Sequence, residues 1–162
     1  ADVGAIVAAA GVAHGTFFFH FPTKEHVLLE LEQREEERIA KQLARFTSDC
    51  QELAAIFAEA VRLIVGLERR LGGLLFKDFL ALHFSQTRPQ VDGGHPVIDE
   101  VARAIEQAQE LGNVDADVNP FNSAAFFLLG LYALLTTTHN WPEQDAMLDD
   151  YLRSSLRGIG AE

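Results

Sequence analysis

Residues 1–26 read ADVGAIVAAAGVAHGTFFFHFPTKEH, and this stretch decides how the chain is interpreted. An alanine-rich helix stops at Gly11, because glycine accepts the positive φ of a tight turn. A second short helix follows and ends before Pro22, since proline cannot continue a helix. Apolar residues on both sides of the turn, such as Ile6 and Phe17, fall where two crossed helices bury their contacts. The spacing predicts a helix-turn-helix.

The rest of the chain predicts an all-α fold, because apolar residues recur every three or four positions and period-two alternation never lasts. A helix over about 24–46 follows the turn region, and at about 1.5 Å per residue it is long enough to link two parts of the molecule. Its charged middle, residues 30–38, is expected to be solvated. Glycine, proline and capping residues, including a Ser48 capping box, predict further helices over about 48–71, 74–86, 96–112 and 120–139, and after Pro142.

The composition of the chain limits which classes of function are expected for it. The chain has 162 residues, 48% of them hydrophobic, a net charge of -11 and a single cysteine, Cys50, so it is one or two globular units without an internal disulfide. Its six histidines form no ligand set and no Glu-x-x-His, and the chain has no Gly-x-Ser-x-Gly, phosphate-binding or dinucleotide glycine motif. We therefore expect no catalytic residues, no metal and no cofactor. With no secretory start and no apolar run of about 20 residues, a cytoplasmic protein without membrane partners is expected.

The predicted helix over 120–139 is apolar on all sides, and residues 118–142 contain no charged residue. A surface helix needs only one apolar stripe, so a second subunit is expected to cover the other face. Together with the final helix it would form a two-fold four-helix interface in a homodimer. The alternative is a central helix wrapped by its own chain. The predicted interface residues are Phe121, Ala125, Leu128, Tyr132, Leu148, Leu152 and Leu156.

The first 26 residues resemble the DNA-binding segment of the tetracycline-repressor (TetR) family. The matching residues are Ile6-Val7, Ala10-Gly11-Val12, Gly15-Thr16-Phe17-Phe18-Phe19-His20-Phe21 and Lys24-Glu25. The resemblance implies an incomplete helix-turn-helix, with the family's first helix lying before this sequence. It also implies a DNA-binding region with its connecting helix at 1–46, and a helical effector-binding and dimerisation domain at 47–162.

By this resemblance the second short helix enters the major groove of double-stranded operator DNA. The implied DNA-binding residues are Ala13, His14, Gly15, Thr16, Phe18, His20 and Lys24. Phe18 stands where the family has Tyr, and residues 1–26 carry one lysine against two acidic residues. Because phosphate neutralisation supplies much of DNA affinity, we expect this stretch alone to bind DNA poorly.

The resemblance also implies a site for an unknown small-molecule effector. Aromatic and apolar residues of three predicted helices are expected to line it, with a mainly apolar ligand and His83 or His139 as polar contacts. For each predicted pocket residue taken singly, the alternative is that its side chain packs in the core and contacts no ligand. The predicted pocket residues are Phe57, Val61, Phe76, Phe79, Leu80, His83, Phe127 and Leu131.

The resulting hypothesis is a ligand-responsive transcriptional regulator, most often a repressor in this family. Two recognition helices fit successive major grooves only when about 34–36 Å apart, and a ligand that tilts the 24–46 helix would spoil that spacing. The alternatives are a helical adaptor that binds another protein and a small helical enzyme without a metal.

Overall fold

The chain is all-α. In a computed structural model, the residues described are 3–11, 13, 23–83 and 94–161, and these form helices and no strand. The helices are α1 (Val3–Ala10), α2 (Lys24–Asp49), α3 (Leu53–His83), α4 (Pro96–Glu110), α5 (Pro120–Thr137) and α6 (Gln144–Arg157). The second short helix predicted before Pro22 lies outside the described residues.

Helix α2 begins at a side-chain cap. The hydroxyl of Thr23 accepts a hydrogen bond from the His26 backbone N–H at 3.4 Å, and Glu25 lies in the first turn, where the helix dipole favours a carboxylate. The helix runs three residues past the predicted end. The predicted Ser48 cap is wrong, because Ser48 lies within α2 and its hydroxyl donates to the Arg45 carbonyl at 2.7 Å. Helix α3 begins only at Leu53.

Helix α3 contains a sharp break at the predicted position. Gly72 has φ 74° and ψ 156°, which is outside the helical region. A Cβ on Gly72 would meet nothing within 4 Å, so the backbone conformation, and not crowding, requires glycine here. The break divides α3 into a longer segment before Gly72 and a shorter one after it.

The last three helices begin and end as the sequence predicts, within a few residues. Pro96 and Pro120 occupy first-turn positions, and the Asn119 side chain accepts from the Asn122 N–H at 2.9 Å. Gly112 follows α4 with φ 78°. After α6 the chain turns back, and Ile159 and Ala161 are buried. The last residues therefore belong to the core.

The main core lies where α2 to α6 meet. Helix α4 packs against α5, and α2 packs against both α3 and α4. The largest fully buried side chains are Phe57, Phe76, Phe79, Ile39, Leu43, Ile64, Leu67, Ile105, Leu128 and Leu131. We call the part of the chain built around this core the body.

Helix α5 is long and apolar enough to cross a membrane by length and composition alone, among the residues described. That is weak evidence, because core helices of soluble proteins meet the same test. Ala124, Leu131 and Leu135 of this helix are buried in the chain's own core. The apolar composition of α5 is thus accounted for in part by packing within the body.

Candidate functional site

The turn after α1 has the geometry that the sequence predicts. Gly11 has φ 66°, and its N–H donates to the Val7 carbonyl at 3.1 Å. Ala13, the first residue predicted to contact DNA, is exposed. Lys24 is the first residue of α2. The other predicted contacts, at positions 14, 15, 16, 18 and 20, lie outside the described residues, as does the Lys24 side chain.

A small apolar cluster holds α1 against α2 and the end of α3. It consists of Val7, Val27, Leu28 and Leu75, all buried, and we call it the docking cluster. It is separate from the main core. Leu71, just before the break in α3, packs against both. The N-terminal segment therefore rests on the short part of α3 that follows Gly72.

The charged middle of α2 is solvated on one side only. Arg34 and Glu37 are exposed, whereas Glu32 is 0% exposed and Glu36 is 7% exposed. Burial of Tyr132 on α5, together with the charges of Glu36 and Glu32, raises the pKa of Tyr132 well above its ordinary value. The solvation prediction was wrong for these two glutamates because their i, i+4 positions continue the face that carries Ile39 and Leu43 into the core.

Charged pairs join α2 and α3 close to the break. The Arg70 guanidinium donates to Glu35 Oε2 at 2.5 Å, and Arg38 pairs with the same carboxylate at 3.0 Å. On the other side of α3, Glu68 Oε1 lies 2.7 Å from Nδ1 of His139, which follows α5. The residues before Gly72 are thus held from two directions.

Most of the residues predicted to line a ligand pocket fill the core. Phe57 stacks on Phe127 with ring centroids 4.4 Å apart, and Phe76 stacks on Phe79 at 6.3 Å. Phe76, Phe79, Leu80 and Leu131 are buried. Val61 borders a different groove, between α3 and α6. His83 ends α3, and its side chain lies outside the described part of the chain.

Two of the predicted pocket residues, Phe57 and Phe127, do line open space. They form the floor of a cleft of about 360 Å³ between α5 and α6, which we call the α5–α6 cleft. Its volume falls within the range of small-molecule sites. Its lining combines aromatic and hydroxyl groups and carries no charge: Phe57, Ser123, Phe126, Phe127, Tyr151, Ser154, Ser155, Gly158 and Ile159.

The cleft depends on a close approach that the sequence analysis missed. The Tyr151 ring stacks on Phe127, with centroids 5.7 Å apart, and its hydroxyl donates to the Phe127 carbonyl at 2.5 Å. A Cβ on Gly130 would overlap that hydroxyl. Burial raises the pKa of Tyr151, which keeps the phenol protonated as a donor. The signal available in the sequence was Gly130, because a glycine among large apolar residues of a helix indicates that another side chain packs closely there.

The predicted dimer residues are divided between the interior and the surface. Leu128, Tyr132, Leu148 and Leu156 are buried within the chain, and Ala125 and Leu152 are half-buried. Phe121 is exposed. The outward side of α5 also presents Phe126 and Leu129, which are 69% and 43% exposed. The large apolar side chains that α5 leaves exposed are therefore Phe121, Phe126 and Leu129, whereas Leu128 and Tyr132 are covered by the chain itself.

The residues that the structure describes contain no group of three or more His, Cys, Asp or Glu side chains suited to a metal ion. Cys50 is half-buried between α2 and α3. Among these residues, the candidate functional features are the helix-turn-helix segment, its docking cluster and the uncharged α5–α6 cleft.

Residues 1–31 match the family model described as bacterial regulatory proteins, tetR family. These residues are similar to the DNA-binding segment of TetR-family regulators. The match ends within α2, shortly after the docking-cluster residues Val27 and Leu28. No curated protein and no solved structure matches the chain.

The family match agrees with the all-α fold and with the turn at Gly11. It supports transcription regulation through a helix-turn-helix as the function class of the matched segment. TetR-family proteins act on DNA and are typically dimers.

Proposed function

We propose that this TetR-family chain is a homodimeric, cytoplasmic repressor that a small, mainly apolar molecule releases from its operator. The observation that carries the proposal is the match over residues 1–31 to a segment whose α1 packs on α2 and α3 through the docking cluster. A DNA-binding segment fixed in this way moves with the body. We keep 1–46 and 47–162 as the proposed domains, and we propose no enzymatic activity.

The proposed effector site is the α5–α6 cleft. Its uncharged lining favours a neutral ligand, because a charged group buried there would lose its hydration without gaining an ion pair. Three serine hydroxyls and aromatic rings suit a flat molecule with a few hydrogen-bonding groups. Of the residues predicted to line the pocket, Phe57 and Phe127 belong to this proposed site. Phe76, Phe79, Leu80 and Leu131 are assigned to the core.

The proposed dimer surface is the outward side of α5. Phe121, Phe126 and Leu129 are large, apolar and exposed there, and no charged residue interrupts residues 118–142. Several large apolar side chains exposed on one helix are typical of a subunit interface. Light scattering of the chain should give twice the monomer mass, and Leu129→Glu, outside the lining of the α5–α6 cleft, should give the monomer.

The same surface favours one other function, an adaptor that binds a different protein through α5. That alternative predicts a monomer in isolation, so light scattering separates it from the homodimer.

The proposed repressor mechanism requires the ligand to favour the state whose two recognition helices are wrongly spaced for DNA. By linkage, DNA must weaken ligand binding by the same factor.

The decisive experiment is fluorescence anisotropy of the protein on DNA from the region upstream of its gene, against scrambled DNA, at two salt concentrations. Binding that stays specific at the higher salt supports the regulator, because non-specific phosphate contacts weaken steeply with salt. Equal and weak binding to both DNAs would count against it.

A variant tests the effector site. Ser123→Phe should fill the α5–α6 cleft and abolish ligand-driven release while DNA binding persists. Gln107→Phe, on the exposed side of α4 and away from the cleft, is the matched control. Unchanged release in Ser123→Phe would place the effector elsewhere.

A further inference from the structure

The break in α3 lies beside the docking cluster. Before Gly72, Ile64 and Leu67 are buried in the main core. After Gly72, Leu75 joins the docking cluster under α1 and α2, while Phe76 and Phe79 return to the main core. The segment after the break therefore connects the docking cluster with the body.

One side chain from another helix reaches this break. The imidazole of His139 covers Gly73, where an added Cβ would lie 2.7 Å from Nε2 and 3.1 Å from Cε1. Its other nitrogen, Nδ1, lies 2.7 Å from Glu68 Oε1, one turn before the break. The Glu68 side chain is 8% exposed and the His139 side chain 37% exposed, so this hydrogen bond is shielded from water on the Glu68 side.

His139 is itself held rigidly at the end of α5. The buried Thr138 hydroxyl donates to the Leu134 carbonyl at 2.7 Å and accepts from Gln144 Nε2 at 3.1 Å. Asn140 then turns the chain with φ 65°. A shift of α5 would therefore move the His139 ring, because the ring has no flexible loop between itself and the helix.

We propose that His139 and Glu68 form a latch that fixes the angle of α3 at Gly72, and that this latch transmits movements of α5 to the DNA-binding segment. Helix α5 carries the α5–α6 cleft near its start and the latch at its end. The path is contiguous: from the cleft along α5 to His139, across Glu68 and Gly73 to Leu75, and on to the docking cluster. The DNA part of this inference rests on the proposed function.

The latch can be broken from either side. His139→Ala removes the ring. Gly73→Ala keeps both His139 and Glu68 in the sequence, but its added methyl group pushes the His139 ring away from the break. Gly73 does not have a positive φ, so alanine does not strain the backbone there. Gly66→Ala is the matched control, since its Cβ would make only an ordinary 3.8 Å contact with Arg70 in the same helix.

The first readout is amide hydrogen exchange of the chain without DNA. His139→Ala and Gly73→Ala should both speed exchange in residues 74–83 and 24–31 while residues 96–110 stay protected, and Gly66→Ala should change none of these. Unchanged protection of 74–83 in both latch variants would overturn the latch. This result does not depend on whether the protein binds DNA.

The second readout is the affinity of the protein for its operator. Breaking the latch should change affinity roughly two- to thirty-fold and shrink the effect of the effector, as expected for residues that couple two sites. The double variant Glu68→Ala with His139→Ala should change affinity by less than the two single effects together, because they remove one shared contact. Altered exchange with unchanged operator affinity would overturn the coupling role. A wild-type protein that binds no DNA specifically would instead overturn the proposed function, with the exchange result still deciding the latch.

Discussion

The N-terminal segment and the body are built in opposite ways. The segment is recognisable from its residues, and among the described residues the docking cluster that holds it has four buried side chains. In the same described part of the chain the core of the body has many more, and the family match ends at residue 31, before that core begins at Ile39. A helix-turn-helix needs particular residues at its turn, whereas many apolar sequences fill a helical core equally well. How readily a region of this chain is recognised from its sequence therefore does not follow from how many side chains it buries.

This contrast is tested most directly by replacing one buried leucine with alanine in each of the two regions. Leu131→Ala in the main core should lower the free energy of unfolding by about 2 to 5 kcal/mol, because a buried leucine leaves a cavity. Leu75→Ala in the docking cluster should lower it less and mainly speed local exchange around α1. Denaturant unfolding followed by circular dichroism measures the first effect. Equal losses for the two variants would mean that the two regions unfold as one unit.

Gly130→Ala tests how finely the body is packed. The new methyl group would overlap the Tyr151 hydroxyl, and overpacking of this kind costs about 1 to 3 kcal/mol. Adding Tyr151→Phe should recover part of the loss, since it removes the atom in the worst overlap. Thermal unfolding of the single and double variants measures both. A Gly130→Ala protein as stable as the wild type would show that α5 and α6 separate easily.

Much of the fold follows from the sequence because its boundaries are made by single residues. Gly11, Gly72 and Asn119 each act through their own backbone or a neighbour three residues away. The contacts around the cleft and the latch pair residues far apart in sequence, such as Glu68 with His139, and no local pattern announces them. For the same reason, burial of Glu32 was missed: a charged run indicates solvent unless a partner helix is known to cover it.

Asn119→Ala should have a smaller effect, about 1 kcal/mol, because it removes only the cap of α5. Gly at the same position should cost only a few tenths of a kcal/mol, since glycine caps tolerably without a side chain. Urea midpoints of the two variants provide the measurement. A loss larger than that of Gly130→Ala would show that the start of α5 matters more to the body than its contact with α6.

Titration of the two tyrosines should leave the stability unchanged at neutral pH and lower it in alkali. Both lie in the body, and burial raises the pKa of each above the ordinary value of about 10. Their contribution is complete below that ordinary pKa and is lost as the pH rises above it towards the folded-state values. Tyrosinate absorbance should appear only as the helical signal disappears. A tyrosine that ionises near its ordinary pKa in the folded chain would contradict the burial of its hydroxyl.

The turn after α6 has a practical consequence for handling the protein. Ile159 and Ala161 are core residues, and a side chain at Gly160 would overlap the Asp115 carboxylate. A reporter or affinity tag inserted directly after Ala161 should therefore be joined through a flexible spacer, so that it does not displace these side chains. Removal of residues 159–161 should expose the core around them to water, although these residues lie far in the sequence from the segment that matches the family model.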